Sequence, residues 1–227
     1  MGDAKKIVLR PIDSKIANQF IERVHYSGKL AANSNLHIGV FYGGTLHGAM
    51  QFGLPIDKRK VLPLVNGTQW HQMMELNRMA FDDYLPRNSE SRAIAIAMKI
   101  IKKHAPQLKW VLSFADATQC GDGTIYRASG FLLTGIKANT QTWVSPDGYV
   151  VSRTSMTKAK YITDNGGASM KKYQVMGFKP LKGFQLRYIY FLDKSQQKNL
   201  TVPILPFSVI DEMGARMYKG VKLADGQ

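Results

Sequence analysis

Apolar and polar positions alternate along this chain in short runs separated by Gly-, Pro- and Asp-containing breaks, and the period of each run predicts its element. KKIVLRPI, bounded by Pro11, reads as a first strand. Asp13 or Ser14 can cap a helix through Tyr26, with Ile16, Phe20 and Val24 spaced on one face. The polar loop HYSGKLAANSN follows. LHIGVFYGGTLHGAMQFGLP holds two strand-like runs about Gly43-Gly44, a hairpin signal. IDKRKVLPLVNGTQWHQ is mixed and basic, and predicts no more than a short helix. MMELNRMAF reads as a central strand. In RAIAIAMKIIKKHAP, Ile94, Ala97, Met98 and Ile101 form an apolar stripe that Ala95 and Ile96 widen, so the helix lies against a sheet until Pro106 stops it. KWVLSFADA is the next strand.

Residues 113 to 135, SFADATQCGDGTIYRASGFLLTG, read as strand, Gly-rich turn, short helix and strand. Gly130 lies four positions after Tyr126, about one helical turn, so the phenol projects from a helix that the glycine closes. LLTGIKANTQTWV, a Ser-Pro-Asp-Gly turn and YVVSRTS continue the antiparallel pattern. ITDNGGASMKKYQVMG reads as mobile, and GFQLRYIYFL restores a strand. The order predicts a mixed α/β (α+β) domain over residues 1–192, its largely antiparallel sheet flanked by helices, followed by a basic, Pro-interrupted extension over 193–227.

Charge narrows the partners. Thirty-one Lys and Arg residues stand against 16 Asp and Glu, a net charge of +15, and the pI is near 9.9. Such an excess points to a polyanion, nucleic acid first, and its spread along the chain implies a face of the folded body. In the extension, Lys194, Lys198, Arg216, Lys219 and Lys222 either grip phosphate or solvate a tail. No apolar run approaches the roughly 20 residues of a membrane span, and the N-terminus lacks signal-peptide architecture. Cys120 is the sole cysteine, so no internal disulfide can form and a reducing, cytoplasmic setting is expected.

The pattern strand, turn, helix with Tyr-x-x-x-Gly-Phe, strand resembles the second half of the GNAT acyltransferase core, and the whole element order resembles that fold. ELNRMAFDDYLPRNSESR, followed after one helix by SFADATQCGDGTIYRASGF, resembles the Mom proteins of bacteriophages; so do HYSGK and KGFQLRYIYFL. These segments span residues 25 to about 192. The resemblance implies a GNAT-like fold, double-stranded DNA as partner inside a bacterial host, and addition of a carbamoylmethyl group to the exocyclic 6-amino group of adenine. That change hides DNA from restriction enzymes.

In coenzyme-A-dependent relatives the loop after the fourth strand is Gly-rich and wraps a pyrophosphate. Here it is LPRNSESR, with Arg87, Asn88, Ser89, Ser91 and Arg92 but no glycine. Side chains obstruct close backbone approach, yet the helix end still offers free N–H groups, a positive pole and two arginines. An anion is expected there. The implied product carries CH2 directly on the nitrogen, whereas acyl transfer yields an amide; glycyl transfer followed by rearrangement reaches the right connectivity. Glycyl-tRNA is the expected donor, making tRNA a second partner, and acyl-CoA is the alternative.

Asp116, ending its strand at the splay, is the candidate base or substrate orienter. Tyr126 is the candidate general acid or leaving-group stabiliser, against the plainer reading of a packed tyrosine. Ser113 points into the same cleft or is structural. His25, Tyr26 and Ser27 are assigned to adenine binding or proton transfer. A base extruded from the duplex needs an aromatic face, from Tyr26, Trp70 or Trp143, of which Trp143 better suits a core. Alternation puts Glu75 and Asn77 on one face, bordering the cleft, with Arg78 opposite; Glu75 serves catalysis or pairs structurally with an arginine. Asp122 reads as a helix cap. The histidines, at 25, 37, 47, 71 and 104, form no ligand-spaced pair, so although the resemblance associates a metal with the family, local spacing supports none. Convergence of His25, Asp116 and a tyrosine is the arrangement left open. Two competitors remain: a coenzyme-A-dependent N-acetyltransferase of a small molecule or protein, and a non-catalytic DNA-binding module.

Overall fold

A computed structural model describes residues 2–119, 121–153, 156, 170–218 and 221–222. The chain divides into two units. One runs up to Phe114 and takes in Gly123–Gly135 and Arg187–Pro206; the other takes in Ala115–Asp122, Ile136–Leu186 and the residues from Phe207.

The first strand, β1, is Val8–Pro11. Asp13 then caps α1, Ser14–Val24, by accepting the Lys15 N–H at 2.7 Å. The helix stops two residues before Tyr26 because His25 is extended. Its buried stripe of Phe20 and Ile21 packs on Ala49 and Ala80 with Ile12, Val24 and Leu46 around them. Burying each of the two large side chains stabilises the fold by about 1.5–3 kcal/mol. Strands β2, Ser34–Tyr42, and β3, Thr45–Gly53, form the expected hairpin. Gly43 and Gly44 both take positive φ, 57° and 85°, as a two-residue turn matched to strand twist requires.

After a short α2, Lys58–Val61, come β4, Met73–Phe81, α3, Ser89–His104, β5, Trp110–Asp116, and α4, Thr124–Ala128. The later strands are β6, Leu132–Ala138, β7, Thr142–Val144, and β8, Val150–Ser152. Then follow α5, Met170–Val175, β9, Lys179–Pro180, β10, Phe184–Phe191, α6, Ser208–Glu212, β11, Met217–Tyr218, and β12, Val221–Lys222. Seven strands form one sheet in the order β1-β2-β3-β4-β5-β10-β6. Pairing from β1 to β4 is antiparallel, while β4 and β5 run parallel.

Two details of β4 position the chemistry. Its ladder with β5 runs from Met73–Trp110 to Leu76–Ser113, after which β4 continues to Phe81 outside that ladder. On its other side, Gln51 faces Arg78 but Phe52 faces Leu76, so Asn77 is an extra residue, a β-bulge.

In the first unit Trp110 is fully buried, donates its indole N–H to Thr68, and anchors a core with Met73, Leu112, Ile189 and Phe191. Leu200 and Val202 pack on that core, the Thr201 N–H bonds the Leu64 carbonyl, and the Leu205 N–H bonds the Leu133 carbonyl. The segment from 193 to 206 is therefore woven into the first unit. Two apolar residues among the lysines are enough to pin it.

In the second unit β8-β7-β9 form a small sheet over Trp143, Met156 and Tyr173. Arg216 pairs with Asp122 at 3.6 Å, so that arginine of the extension is held by a carboxylate. The segment expected to be mobile carries α5 in its second half; residues 162–169 lie outside the described residues, as do Cys120, Lys219 and the side chain of Lys222. No helix among the described residues is long and apolar enough to cross a membrane.

Candidate functional site

The bulge at Asn77 reverses one expectation. Residues directly opposite in a ladder share a face. Arg78 faces Gln51, whose side-chain N–H donates to Asn18 of α1 at 2.7 Å, so Arg78 lies on the α1 face. Leu76 faces Phe52 and lies on the other, which returns Glu75 to the α1 face. Strict alternation would have separated Glu75 from Arg78; the extra residue brings them together.

The α1 side supplies the rest. The Gly28 N–H bonds the His25 carbonyl at 2.8 Å and Gly28 takes φ 56°, closing a tight turn where α1 ends. Arg78 Nε donates to the Lys29 carbonyl at 3.0 Å and its Nη1 donates to the Asn77 carbonyl at 2.7 Å, clamping the bulge to that turn. Ser34 donates its hydroxyl to Asn77 Oδ1 at 3.1 Å. Gly53 permits this crossing, since a Cβ there would overlap the Asn33 carbonyl.

The electrostatics follow from burial. Desolvation lowers the His25 imidazole to about 4, with the Arg78 charge adding to the effect, so the ring is neutral at pH 7. The Ser27 backbone N–H donates to Nδ1 at 3.2 Å and Ser27 Oγ lies 2.8 Å from it. Nδ1 is thus an acceptor, and the neutral ring carries its proton on Nε2. Desolvation raises the Glu75 carboxyl to about 7, against the opposing pull of a hydrogen bond from Asn77 and the charge of Arg78. A carboxyl that exchanges its proton near neutrality thus shares a face with a guanidinium bonded to the turn of a neutral, donor-bearing imidazole. Tyr26, whose ring centroid lies 4.2 Å from that of His25, is half exposed.

These shifts predict a pH signature. Between pH 4.5 and about 7 the folded chain keeps a proton on Glu75 that the unfolded chain has released, so this group's contribution to stability falls as pH rises. His25 works oppositely: stability is lost as pH falls from 6.5 toward 4. We expect the stability difference between Glu75→Gln and wild type to grow in the variant's favour from pH 4.5 to about 7 and then level off. Urea unfolding across that range measures it, and a difference independent of pH contradicts the assignment.

The other candidates have surroundings of their own. Ser113 is buried and donates to the Leu76 carbonyl at 3.4 Å, so it ties the last rung of the β4–β5 ladder. Tyr126 is 7 % exposed, its ring packed on Phe131 and Tyr188 at centroid distances of 5.4 and 5.3 Å. Gly123 precedes that helix with φ 78°, where a Cβ would strike the Tyr188 ring. Gly123, not Asp122, occupies the cap position, Asp122 being paired with Arg216. Asp116, in the second unit, accepts the Thr118 N–H at 3.0 Å and the Thr118 hydroxyl, and burial raises its carboxyl above the usual range. Trp143 is a core residue of that unit. Trp70 precedes β4 at the end where β4 and β5 are paired, and lines a separate cavity of about 950 Å³ with Met73, His71 and His104.

In the loop before α3 Asn88 adopts φ 70°, the left-handed conformation a glycine would supply, so the turn forms while the side chain stays. Arg87, Asn88 and Arg92 are exposed, and Ser91 Oγ bonds the Asn88 carbonyl at 3.3 Å. Ser89, in the first turn of α3, is fully buried and its hydroxyl has no hydrogen-bond partner among the described residues. A buried hydroxyl left this way costs about 1–3 kcal/mol. Ser89→Ala is therefore expected to raise stability by about 1 kcal/mol in denaturant titrations. A variant less stable than wild type would show that the hydroxyl already has a partner.

Among the described residues no group of three or more His, Cys, Asp or Glu side chains converges to hold a metal ion.

A mixed sheet whose described parallel ladder ends at Leu76, with a helix after β4 and a tyrosine-bearing helix after β5, defines a GNAT-like transferase fold. Solved structures of that class align with it. The ribosomal-protein-S18-alanine N-acetyltransferase of Escherichia coli matches with TM-score 0.46 and 9 % identity over 82 % of this chain and 94 % of its own. A spermidine/spermine N-acetyltransferase of Vibrio cholerae matches with TM-score 0.47 and 11 % identity over 86 % and 98 %. Sequence is more specific: the profile of the Mom protein family matches residues 6–209. The chain is 36 % identical over 205 residues to the methylcarbamoylase Mom of Escherichia phage Mu, covering 88 % of this chain and 82 % of that protein. The chain belongs to the Mom protein family.

Proposed function

We propose that this chain modifies adenine in double-stranded DNA, transferring a glycyl group from glycyl-tRNA to the 6-amino nitrogen, after which the adduct rearranges to carbamoylmethyl adenine. The carrying observation is the bulge cluster: a Glu75 carboxyl near neutral pKa on the α1 face of β4, with Arg78 tied to the turn that holds a neutral His25. The relative's name, methylcarbamoylase, supports the kind of group added.

In the first step the adenine amine attacks the glycyl ester carbonyl. A C–N bond forms and the ester C–O bond breaks. Glu75 accepts the amine proton and returns one to the departing ribose oxygen, so no second acid is needed. His25 donates from Nε2 to an acceptor nitrogen of the base, and Tyr26 offers it a face. In the second step the glycyl amine attacks ring carbon 6, closing a five-membered spiro ring. Cleavage of the original C6–N bond then releases that nitrogen as the primary carboxamide. No oxidant or reductant enters. An amine inside a duplex cannot reach these groups, so the base is extruded. The helix end at Ser89, flanked by Arg87 and Arg92, takes the anionic part of the donor. Tyr126 and Asp116 enter this reading as framework: the ring packs α4 and the carboxylate shapes a turn.

The +15 charge favours nucleic acid as both substrate and donor. Acyl-CoA is the second donor to test, since the same helix end would receive its phosphates. Purified protein is incubated with duplex DNA and either glycyl-tRNA or glycyl-CoA, and the DNA is digested and its nucleosides weighed. Carbamoylmethyl adenine with glycyl-tRNA is expected. Product only with the thioester rejects the tRNA donor, and no modified nucleoside despite salt-sensitive DNA binding indicates a binding module.

A further inference from the structure

Past Arg78 and Ala80, the α1 face of β4 leads on to Asp82, four residues from Arg78 and about 13 Å along an extended strand. Both Asp82 carboxylate oxygens accept from His47 Nδ1, at 2.9 and 3.1 Å, and the Asp82 N–H donates to the His47 carbonyl at 3.0 Å. The Asp82 carboxylate also accepts the Tyr84 N–H at 3.1 Å. His47 is buried, and the Tyr84 ring stacks on it, centroids 4.5 Å apart and planes 14° from parallel. Tyr42 meets Tyr84 edge-on at 6.2 Å. Tyr84 itself is 68 % exposed.

An exposed tyrosine ordinarily loses entropy when its ring is pinned, and gains little where one face stays in water. Here three residues pin it: an imidazole beneath, a carboxylate orienting that imidazole, and a second ring at its edge. The result is a rigid, flat, outward-facing aromatic on a strongly basic chain, one short loop before Arg87 and Arg92. Aromatic faces of this kind, flanked by cations, take nucleobases that lack a pairing partner.

We propose that Tyr84, backed by His47 and Asp82, is a stacking platform for an unpaired base of the DNA next to the adenine being modified. The proposal rests on the DNA-modifying reading above. DNA is favoured over the donor RNA because the platform's supports lie on the sheet face that carries Glu75, a few nucleotides away. Extrusion of a base leaves its former partner unpaired and its neighbours unstacked, which provides the occupant.

The test uses the full chain, a labelled single-stranded oligodeoxynucleotide, the matching duplex and an unacylated tRNA, each titrated across a salt series. Tyr84→Ala is expected to weaken DNA binding at least about fivefold, the lower end for one stacked base, with the salt slope unchanged because no phosphate contact is lost. Tyr84→Phe keeps the ring and is expected to bind as wild type, which separates stacking from a folding defect. Unchanged DNA affinity in Tyr84→Ala, a loss confined to tRNA, or a shallower salt slope overturns the platform. A wild-type chain that binds no DNA overturns both the platform and the reading beneath it.

Discussion

Glu75→Gln is expected to lower adenine modification by about a hundred- to ten-thousandfold, the range for losing a positioned general base. The amide matches the carboxyl in size and can still bond Asn77, so DNA affinity and its salt slope should stay unchanged. The pH profile carries more information than the rate. A base must be unprotonated to act, and burial sets the Glu75 carboxyl at about 7, so wild-type activity should rise with pH through that value. The variant's residual activity should show no such limb. Retained activity in the Gln variant would remove Glu75 from the chemistry and leave the base unassigned.

The second large effect is expected at His25. In the proposed mechanism its Nε2–H is the donor offered to the base, and deleting one preorganised donor costs about a hundred- to a thousandfold, so His25→Ala should fall in that range. Two controls make the test specific. Ser27→Ala should cost far less, because the backbone N–H that makes Nδ1 an acceptor survives the substitution. The activity limb near pH 7 should persist in His25→Ala, because that limb belongs to Glu75; the imidazole itself titrates only near 4. If the limb moves with His25, the two roles are exchanged. Steady-state modification rates on one duplex, measured by nucleoside mass, decide both cases.

Arg78 shows why such a site is hard to read along a strand. In MMELNRMAF, alternation sends Glu75 and Asn77 one way and Arg78 the other. One unpaired residue changes that phase, and nothing in the nine letters announces it, because a bulge depends on how β3 is registered against β4. The signal that could have found it was chemical: three polar side chains in a buried strand need partners, and the Arg78 guanidinium finds two in the backbone carbonyls of Lys29 and Asn77. Tyr84 was equally silent, since DDYLPRNSESR reads as loop and the imidazole beneath it comes from another strand.

Other parts were legible because they are local. The Asp13 cap, the Gly43-Gly44 turn, the α3 stripe stopped before Pro106 and the strand, turn, helix about Tyr126 depend on residues a few positions apart. Tyr126 itself was placed on the right element, but its enclosure by Phe131 and Tyr188 is a matter of packing between elements distant in sequence. Trp70, one of three rings offered for the extruded base, precedes β4 and lines a cavity with Met73, His71 and His104. In the basic extension Leu200 and Val202 pack on the core, a contact that no spacing among its lysines announces.

By itself the sequence determined the mixed α/β order, the turns and caps, the basic charge and, through its ordered motifs, membership of the Mom family. Those properties are set by backbone preference and composition, which act over a few residues or over the whole chain at once. Tertiary structure alone decided which polar side chains meet, how far burial moves Glu75 and His25 from their solution behaviour, and where an aromatic ring faces water. Those depend on strand register and desolvation, and neither exists until distant segments pack.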